Sequence, residues 1–333
     1  MLGEGHHLLQ RKFEDRFRNL NRGQNHKSID DDEEEETPKK RPPTKKDTYG
    51  CVNFMPKELP ANESPQTQED KRLWLIEEYN KPSSLRDQTK VTEFMMLTYP
   101  TQRATIVNRY YKDVYKHWPF LCEREHIEHH FKCLMGFDLF QTAEKSLESL
   151  MPLMVKYYSS KVYCDGKKLT QEKKTLRDQI IHIEKHCCNS KEMLVPVIEI
   201  LIELWKQDKQ EVFVTYEETT SSAEVEAAAK QPHPHISILG NSAQCLVTME
   251  NFSMIPVMPV YDALLITFAL YYVHSVAYPP KSAAVWEFIQ RVVFKIDGEG
   301  SKVKRIKSSP ATVNSRVATL LQSLRQFKET WKI

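Results

Sequence analysis

Histidines at helical spacing are the residues of this sequence whose types and positions could do chemistry. His126 and His130 are four residues apart, as are His182 and His186, so each pair would share one face of a helix. Two such pairs facing each other would supply the four tetrahedral ligands that zinc takes. The spacing fits no zinc-finger pattern, however, and histidines at the wet edge of a helix are the plainer explanation. We therefore predict no bound metal and no cofactor; a metal, if bound, would be held by these four histidines.

Signatures of catalysis are missing from the sequence. Nine glycines occur in 333 residues, and Gly3-x-Gly5 and Gly298-x-Gly300 are the only close pairs, so no glycine-rich loop can hold a phosphate. The Gly-x-Ser-x-Gly motif of serine hydrolases does not occur either. A cysteine and a histidine brought together by the fold are still an open alternative. The sequence therefore predicts no catalytic residues and a protein that is not an enzyme.

Two basic clusters have the composition of nuclear import signals. A run of seven acidic residues, 30–36, leads into the first cluster, and the second lies near the carboxy-terminal end. Prolines and like charges keep such segments extended, so that an import receptor can bind them. A solvated segment without an import function is the alternative. We predict a nuclear protein, otherwise a cytoplasmic one, with import-signal residues Lys39, Lys40, Arg41, Lys45, Lys46, Lys304, Arg305 and Lys307.

Charge, cysteine usage and hydropathy narrow the class of protein. The net charge of +2 is unevenly distributed, and contact with nucleic acid is expected only at the two basic ends. Seven cysteines without a Cys-x-x-Cys pair, and an amino terminus without an apolar stretch, predict free thiols in a reducing compartment and no signal peptide. The most apolar segment, 257–277, contains Asp262, and we expect a buried core helix there and no contact with a membrane.

Apolar periodicity predicts a mainly α protein with a helical, bundle-like body. The stripe Leu176, Ile180 and Ile183 is typical of helices that share a core. Beyond residue 210 the period changes, and short strands are predicted near 212–216, 236–239 and 245–249, before two apolar helices near 262–277 and 283–295. The predicted regions are a disordered leader at 1–47, a helical domain at 48–210, a small α+β module at 211–298, and a basic tail with an amphipathic helix at 299–333.

The tail helix has an apolar seam with the 3.5-residue period of a coiled coil. Its members recur at alternating spacings of four and three residues: Val313, Val317, Leu320, Leu324, Phe327 and Trp331. Such a seam indicates contact with another helix. One alternative is that the helix binds a partner protein or a second copy of the chain, and the other is that it folds back onto the body.

The order of landmarks from residue 49 to about residue 296 resembles a known vertebrate family. The landmarks are Cys51-Val52-Asn53-Phe54, residues 103–107, Trp118-Pro119-Phe120-Leu121, His129-His130-Phe131 and the segment from Trp286 to Arg291. Together they resemble the carboxy-terminal region of sterile alpha motif domain-containing protein 3-like proteins, a family expanded in fishes. Residues 1–47 cannot form the small helical domain after which that family is named. The resemblance implies no catalytic residues that can be transferred to this chain.

These observations favour a non-enzymatic nuclear protein that binds other proteins, as a scaffold of unspecified role. The helical body would supply a docking surface, and the tail helix would bind a partner helix or a second copy. Nucleic-acid binding through the basic tails is the second hypothesis, because phosphate neutralisation needs clustered Lys and Arg. A divergent enzyme that uses zinc or a cysteine is the third hypothesis.

Overall fold

The computed structural model describes residues 55–108, 111–163, 170–240, 244–249, 253–296 and 313–331. Twelve α-helices and one four-stranded sheet lie within these residues, which confirms the prediction of a mainly α chain with a small α+β module. Side chains from the helices, the strands and the tail share one hydrophobic core. The region boundaries at 210 and 298 stay predictions, and the predicted leader, 1–47, lies outside the described residues.

Five helices open the described part of the chain. They are α1 (Pro65–Tyr79), α2 (Gln88–Leu97), α3 (Tyr99–Asn108), α4 (Tyr111–His117) and α5 (Arg124–Met135). Helix α1 begins where it does because the Ser64 and Thr67 side chains each accept a hydrogen bond from the other's backbone N–H. Helix α5 ends at Gly136, whose φ of +81° is readily adopted only without a Cβ atom. A short 3₁₀ turn, Pro119–Cys122, connects α4 to α5 and buries Phe120.

Three longer helices follow and pack against one another. They are α6 (Leu139–Tyr163), α7 (Gln171–His186) and α8 (Ser190–Leu204), and α6 contacts both of the others. The predicted stripe of Leu176, Ile180 and Ile183 is buried, which confirms that α7 presents one apolar face to its neighbours. Pro152 lies inside α6, yet this helix of 25 residues does not end there.

The sheet comprises four short strands in the order in which they occur along the chain. They are β1 (Phe213–Tyr216), β2 (His235–Leu239), β3 (Gln244–Thr248) and β4 (Ser253–Pro259). Strands β1 and β2 are parallel, and α9 (Ser222–Ala228) lies in the connection between them. The other two pairs are antiparallel. Three of these strands were predicted from the sequence, whereas β4 was not.

Helix α10 (Val260–Val273) lies at the centre of the molecule. Every residue from 263 to 273 is buried, and the helix contacts α5, α8, β2 and β3. It is the core helix predicted near 262–277, although it begins and ends slightly earlier than predicted. No helix within the described residues has the length and apolar character needed to cross a membrane.

The described chain ends with two helices that contact each other. Helix α11 (Ala283–Phe288) continues into a π-helical turn, Ile289–Val293. Sixteen residues, 297–312, separate this region from α12 (Ser315–Trp331). Helix α12 contacts both α6 and α11, so the tail helix lies against the body of the protein.

Candidate functional site

The predicted seam of α12 is buried against the body. Val317, Leu320 and Leu324 retain only 0%, 6% and 4% of their exposure. The Phe327 ring packs edge-to-face on Tyr157 of α6, with ring centroids 5.6 Å apart. Val313 is partly buried against the same core, and the side chain of Trp331 lies outside the described residues. Of the two alternatives for this helix, the structure describes the one in which it folds back onto the body.

We call the surface that receives this helix the α12 seat; it is formed by α6, α11 and Trp205. An open groove of about 290 Å³ runs along one side of the docked helix. Its walls come from both partners of the contact: Tyr157, Tyr158 and Trp205 from the body, and Ser315, Arg316, Thr319, Leu320 and Ser323 from α12. The side of the groove that the body supplies is therefore aromatic, as suits a surface that binds the apolar face of a helix.

One end of the α12 seat carries a buried charge. Glu287 of α11 is fully buried, and its Oε1 accepts hydrogen bonds from Arg291 Nε at 2.9 Å and from the Asn314 backbone N–H at 3.0 Å. Asn314 itself precedes α12, and its side-chain oxygen accepts from the Arg316 N–H at 3.0 Å. The buried Glu287 side chain thus contacts the backbone N–H of the residue that precedes the docked helix.

The residues predicted as import signals lie outside the described residues. They are Lys39, Lys40, Arg41, Lys45, Lys46, Lys304, Arg305 and Lys307. The second cluster falls between α11 and α12, within 297–312, and therefore belongs to the segment that joins the body to the docked helix.

The histidine pairs considered for zinc have different environments. His126 and His130 are buried in α5, and burial lowers the pKa of His126 to about 4 and that of His130 well below its usual range. The His182 and His186 rings lie 4.6 Å apart on α7. Within the described ranges, no group of three or more His, Cys, Asp or Glu side chains is placed to hold a metal ion. The fold does not bring the two pairs together into a four-ligand site.

A cysteine and a histidine do meet, but within one helix. Cys133 Sγ lies 3.2 Å from His129 Nε2, and burial lowers the pKa of this histidine, so the ring is neutral and can share the thiol proton. The pair lies in the last turns of α5, at the negative end of the helix macrodipole. Because a thiolate is favoured at the opposite end of a helix, this position disfavours a reactive cysteine.

Sequence reasoning missed a buried polar cluster, which we call the polar centre. Arg103 of α3 is fully buried and donates from Nη1 to the Val273 carbonyl, 2.6 Å away, at the end of α10. The Tyr115 hydroxyl lies 2.6 Å from His274 Nε2. Burial, with a smaller contribution from Arg103, lowers the pKa of His274 to about 3, and burial lowers the pKa of Arg103 to about 10. The apolar setting of these residues could not be inferred from their positions in the sequence.

The fold and the α12 seat define a mainly α protein that holds an amphipathic helix of its own chain in an apolar seat. Residues 68–123, which extend from α1 to the turn before α5, match the family model described as Sterile alpha motif domain-containing protein 3, helical domain. This match confirms the resemblance predicted from the sequence, in a region outside any sterile alpha motif domain. No curated protein and no solved structure matches the chain. The matched segment contains Arg103 and Tyr115 of the polar centre, whereas the α12 seat lies beyond it.

Proposed function

We propose that this chain is a non-enzymatic nuclear protein that binds an amphipathic helix of a partner protein in the α12 seat. The observation that carries the proposal is the burial of Val317, Leu320 and Leu324 in a seat with aromatic walls. Helix-in-groove recognition uses such a surface, and the bound helix supplies apolar side chains at regular helical spacing. The partner helix would carry apolar residues at i, i+3, i+7 and i+10, the spacing of Val317, Leu320, Leu324 and Phe327.

The chain's own helix competes with any partner for the seat. Burying a Val or Leu side chain contributes about 1.5–3 kcal/mol, so three of them make a stable contact. Residues 297–312 also connect α12 covalently to the body, which gives it an effective concentration on the order of millimolar at its seat. A second copy of the chain at micromolar concentration is therefore outcompeted, and a partner helix must bind more tightly than α12.

Nuclear localisation is part of the same proposal and is supported by the two basic clusters. The second cluster includes Lys304, Arg305 and Lys307 and lies in the segment that precedes α12. Changing these three residues to Ala, with the first cluster also changed to Ala, should leave the protein in the cytoplasm. A nuclear signal from the fully substituted chain would contradict import through these clusters. A chain with Lys residues 328 and 332 changed to Ala is the matched control for loss of basic charge.

A peptide in trans tests the proposed helix-binding activity. In the full chain, Leu320→Asp with Leu324→Asp places two carboxylates in an apolar seat, so α12 should leave it. A labelled peptide of residues 313–331 should then bind this chain at least about tenfold more tightly than it binds the natural chain, whose seat is occupied. Gln322→Asp with Gln326→Asp, on the exposed side of α12, is the matched control and should leave the seat occupied.

The outcome that contradicts the proposal is a substituted chain that keeps its helical circular dichroism but does not bind the peptide. A peptide with the same two Asp substitutions shows whether binding depends on the seam. If the substituted chain does not fold, hydrogen exchange of the natural chain tests instead whether α12 leaves the seat. Backbone amides of α12 that exchange only through global unfolding would show that the seat is never vacated, which would also contradict the proposal.

Nucleic-acid binding is the second candidate function, favoured by the exposed Arg316, Arg325 and Lys328 of α12. The positions of these residues on the helix count against this function. Arg316 and Arg325 are nine residues apart, so they project about 180° from each other on a helix with 3.6 residues per turn. Any such binding should fall steeply with salt. Loss of binding on changing Lys304, Arg305 and Lys307 to Ala would support it, and binding that is insensitive to salt would exclude it.

A further inference from the structure

Glu287 is a fully buried acidic side chain that contacts both the body and the segment that starts α12. Acidic side chains are almost never fully buried unless they are paired, and Glu287 has no exposed surface. Its Oε1 accepts from Arg291 Nε, in the π-helical turn, and from the backbone N–H of Asn314, at the start of α12. One carboxylate oxygen therefore connects the seat to the amino-terminal end of the helix that occupies it.

The start of a helix is the end at which a carboxylate is favourable. The first backbone N–H groups have no partner within the helix and give this end a partial positive charge. A helix bound in the reverse direction would place its last carbonyl groups, which are negative, against the same carboxylate. Glu287 therefore favours one direction of the helix in the seat and disfavours the other.

The sequence of α12 agrees with this role of Glu287. Acidic residues are favourable in the first turn of a helix, yet α12 has none there. The negative charge that interacts with the start of this helix comes instead from α11. At the far end of the seat the contact is between the rings of Tyr157 and Phe327. The start of the docked helix thus meets a hydrogen-bond acceptor, which the last carbonyl groups of a reversed helix could not match.

We propose that Glu287 determines the direction in which the α12 seat accepts a helix, an inference that rests on the function proposed above. The partner is then an amphipathic helix that begins at Glu287, carries no acidic residue in its first turn and ends with an aromatic residue near Tyr157. Arg291 is a positioning residue, because its hydrogen bond to Oε1 orients the carboxylate toward the incoming backbone N–H.

Hydrogen exchange of the full chain tests the role of Glu287 without any partner. Glu287→Gln keeps the shape of the side chain and removes its charge. Backbone amides of α12 should then exchange about tenfold faster or more, because hydrogen bonds to charged groups are the stronger ones. Amides of α10 serve as the internal reference and should be unchanged. Glu329→Gln, which removes an exposed charge from α12, is the matched control.

Two results of this exchange experiment would overturn the inference. Unchanged exchange in α12 would show that the carboxylate does not hold the helix. An equal acceleration in α12 and α10 would show that Glu287 serves only the stability of the whole protein.

Direction is tested with the peptide of residues 313–331 bound to the full chain that carries Leu320→Asp and Leu324→Asp. A nitroxide at the amino end of the peptide should broaden the amide signals of α11, and one at the carboxy end should broaden those near Tyr157 in α6. Adding Glu287→Gln should weaken peptide binding by about tenfold. The reverse pattern of broadening would overturn the inference. A peptide that does not bind at all would count against the proposed function, whereas the exchange experiment would still report on Glu287.

Discussion

The polar centre and the α12 seat hold the molecule together in different ways. In the polar centre, Arg103 and His274 are buried and bonded to groups far away in the sequence. In the α12 seat, aliphatic and aromatic side chains supply most of the contact, and the ion pair of Glu287 with Arg291 lies at one end. A buried polar group that loses its partner costs much free energy, whereas a helix on an apolar surface can leave and return. On the function proposed above, the polar centre is the permanent contact and the seat is the exchangeable one.

Acid should have the largest effect, and it acts on buried histidines, of which His274 belongs to the polar centre and none to the α12 seat. Five buried histidines have pKa values lowered by burial: His126, His233 and His235 to about 4, His274 to about 3, and His130 well below its usual range. The unfolded chain binds protons below its usual histidine pKa of about 6.5, whereas the folded chain does not. Stability is therefore complete above pH 6.5 and is lost as the pH falls toward 4 and then 3.

Urea unfolding at pH 7.5, 6 and 5 measures this loss. At pH 5 each such histidine should cost up to about 2 kcal/mol of unfolding free energy, so that the total is several kcal/mol. His182→Gln, which replaces an exposed histidine of α7, is the matched control for the loss of an imidazole. An unfolding free energy that does not change between pH 7.5 and 5 would contradict the burial of these neutral rings.

Removing the buried arginine should have the next largest effect. Arg103→Met leaves the Val273 carbonyl without its donor and should lower the unfolding free energy by about 3 kcal/mol. Arg325→Met, at an exposed position of α12, is the matched control and should change it by less than about 0.5 kcal/mol. Chemical denaturation checks both variants, and similar values for the two would mean that the polar centre is not the more sensitive region.

A cavity made in the α12 seat should weaken the docking of α12 and leave the rest of the fold unchanged. Leu324→Ala removes a buried side chain, which costs about 2–5 kcal/mol in a core, yet the loss should be confined to the docking of α12. Amides of α12 should lose protection while those of α10 keep theirs, in contrast to Arg103→Met, which should affect both. Gln322→Ala is the control on the exposed face. If Leu324→Ala lowers the protection of α10 as much as that of α12, the seat is part of the permanent core.

The smallest expected effect is that of removing the contact between the rings of Tyr157 and Phe327. A double-mutant cycle with Tyr157→Leu and Phe327→Leu should give a coupling energy of about 0.5–1.5 kcal/mol for the docking of α12. The cycle contains its own controls, since each single variant removes one ring. A coupling energy near zero would show that Phe327 contributes to the docking of α12 only through its buried apolar area.

Periodicity alone predicted much of the secondary structure. The stripe of α7, three of the four strands, the core helix α10 and the amphipathic helix α12 all follow from local spacing of apolar residues. Strand β4 was missed because it runs directly into α10, so its apolar residues merged with those of the helix. The strand also contains two prolines, Pro256 and Pro259, which are tolerated only at edge strands and strand ends.

The sequence predicted the apolar face of α12, but it did not predict the surface of the body that this face contacts. Val317, Leu320 and Leu324 of the predicted seam share one buried face of α12, but the surface that they contact could not be named from spacing. Glu287 and Arg103 resemble any other charged residues in the sequence, and charged residues are expected at the surface. Their burial depends on residues up to 170 positions away, as for Arg103 and Val273.

The sequence by itself determined which segments form helices, which faces are apolar and where the charges cluster. These are local properties, set by side-chain spacing and backbone preference. Only the tertiary structure decided that α12 lies on the protein's own body, that Glu287 contacts the backbone N–H of the residue before it, and that Arg103 closes the end of α10. The physical reason is that an apolar face shows only that a helix must be buried on that side. Which surface buries it depends on the packing of the whole chain.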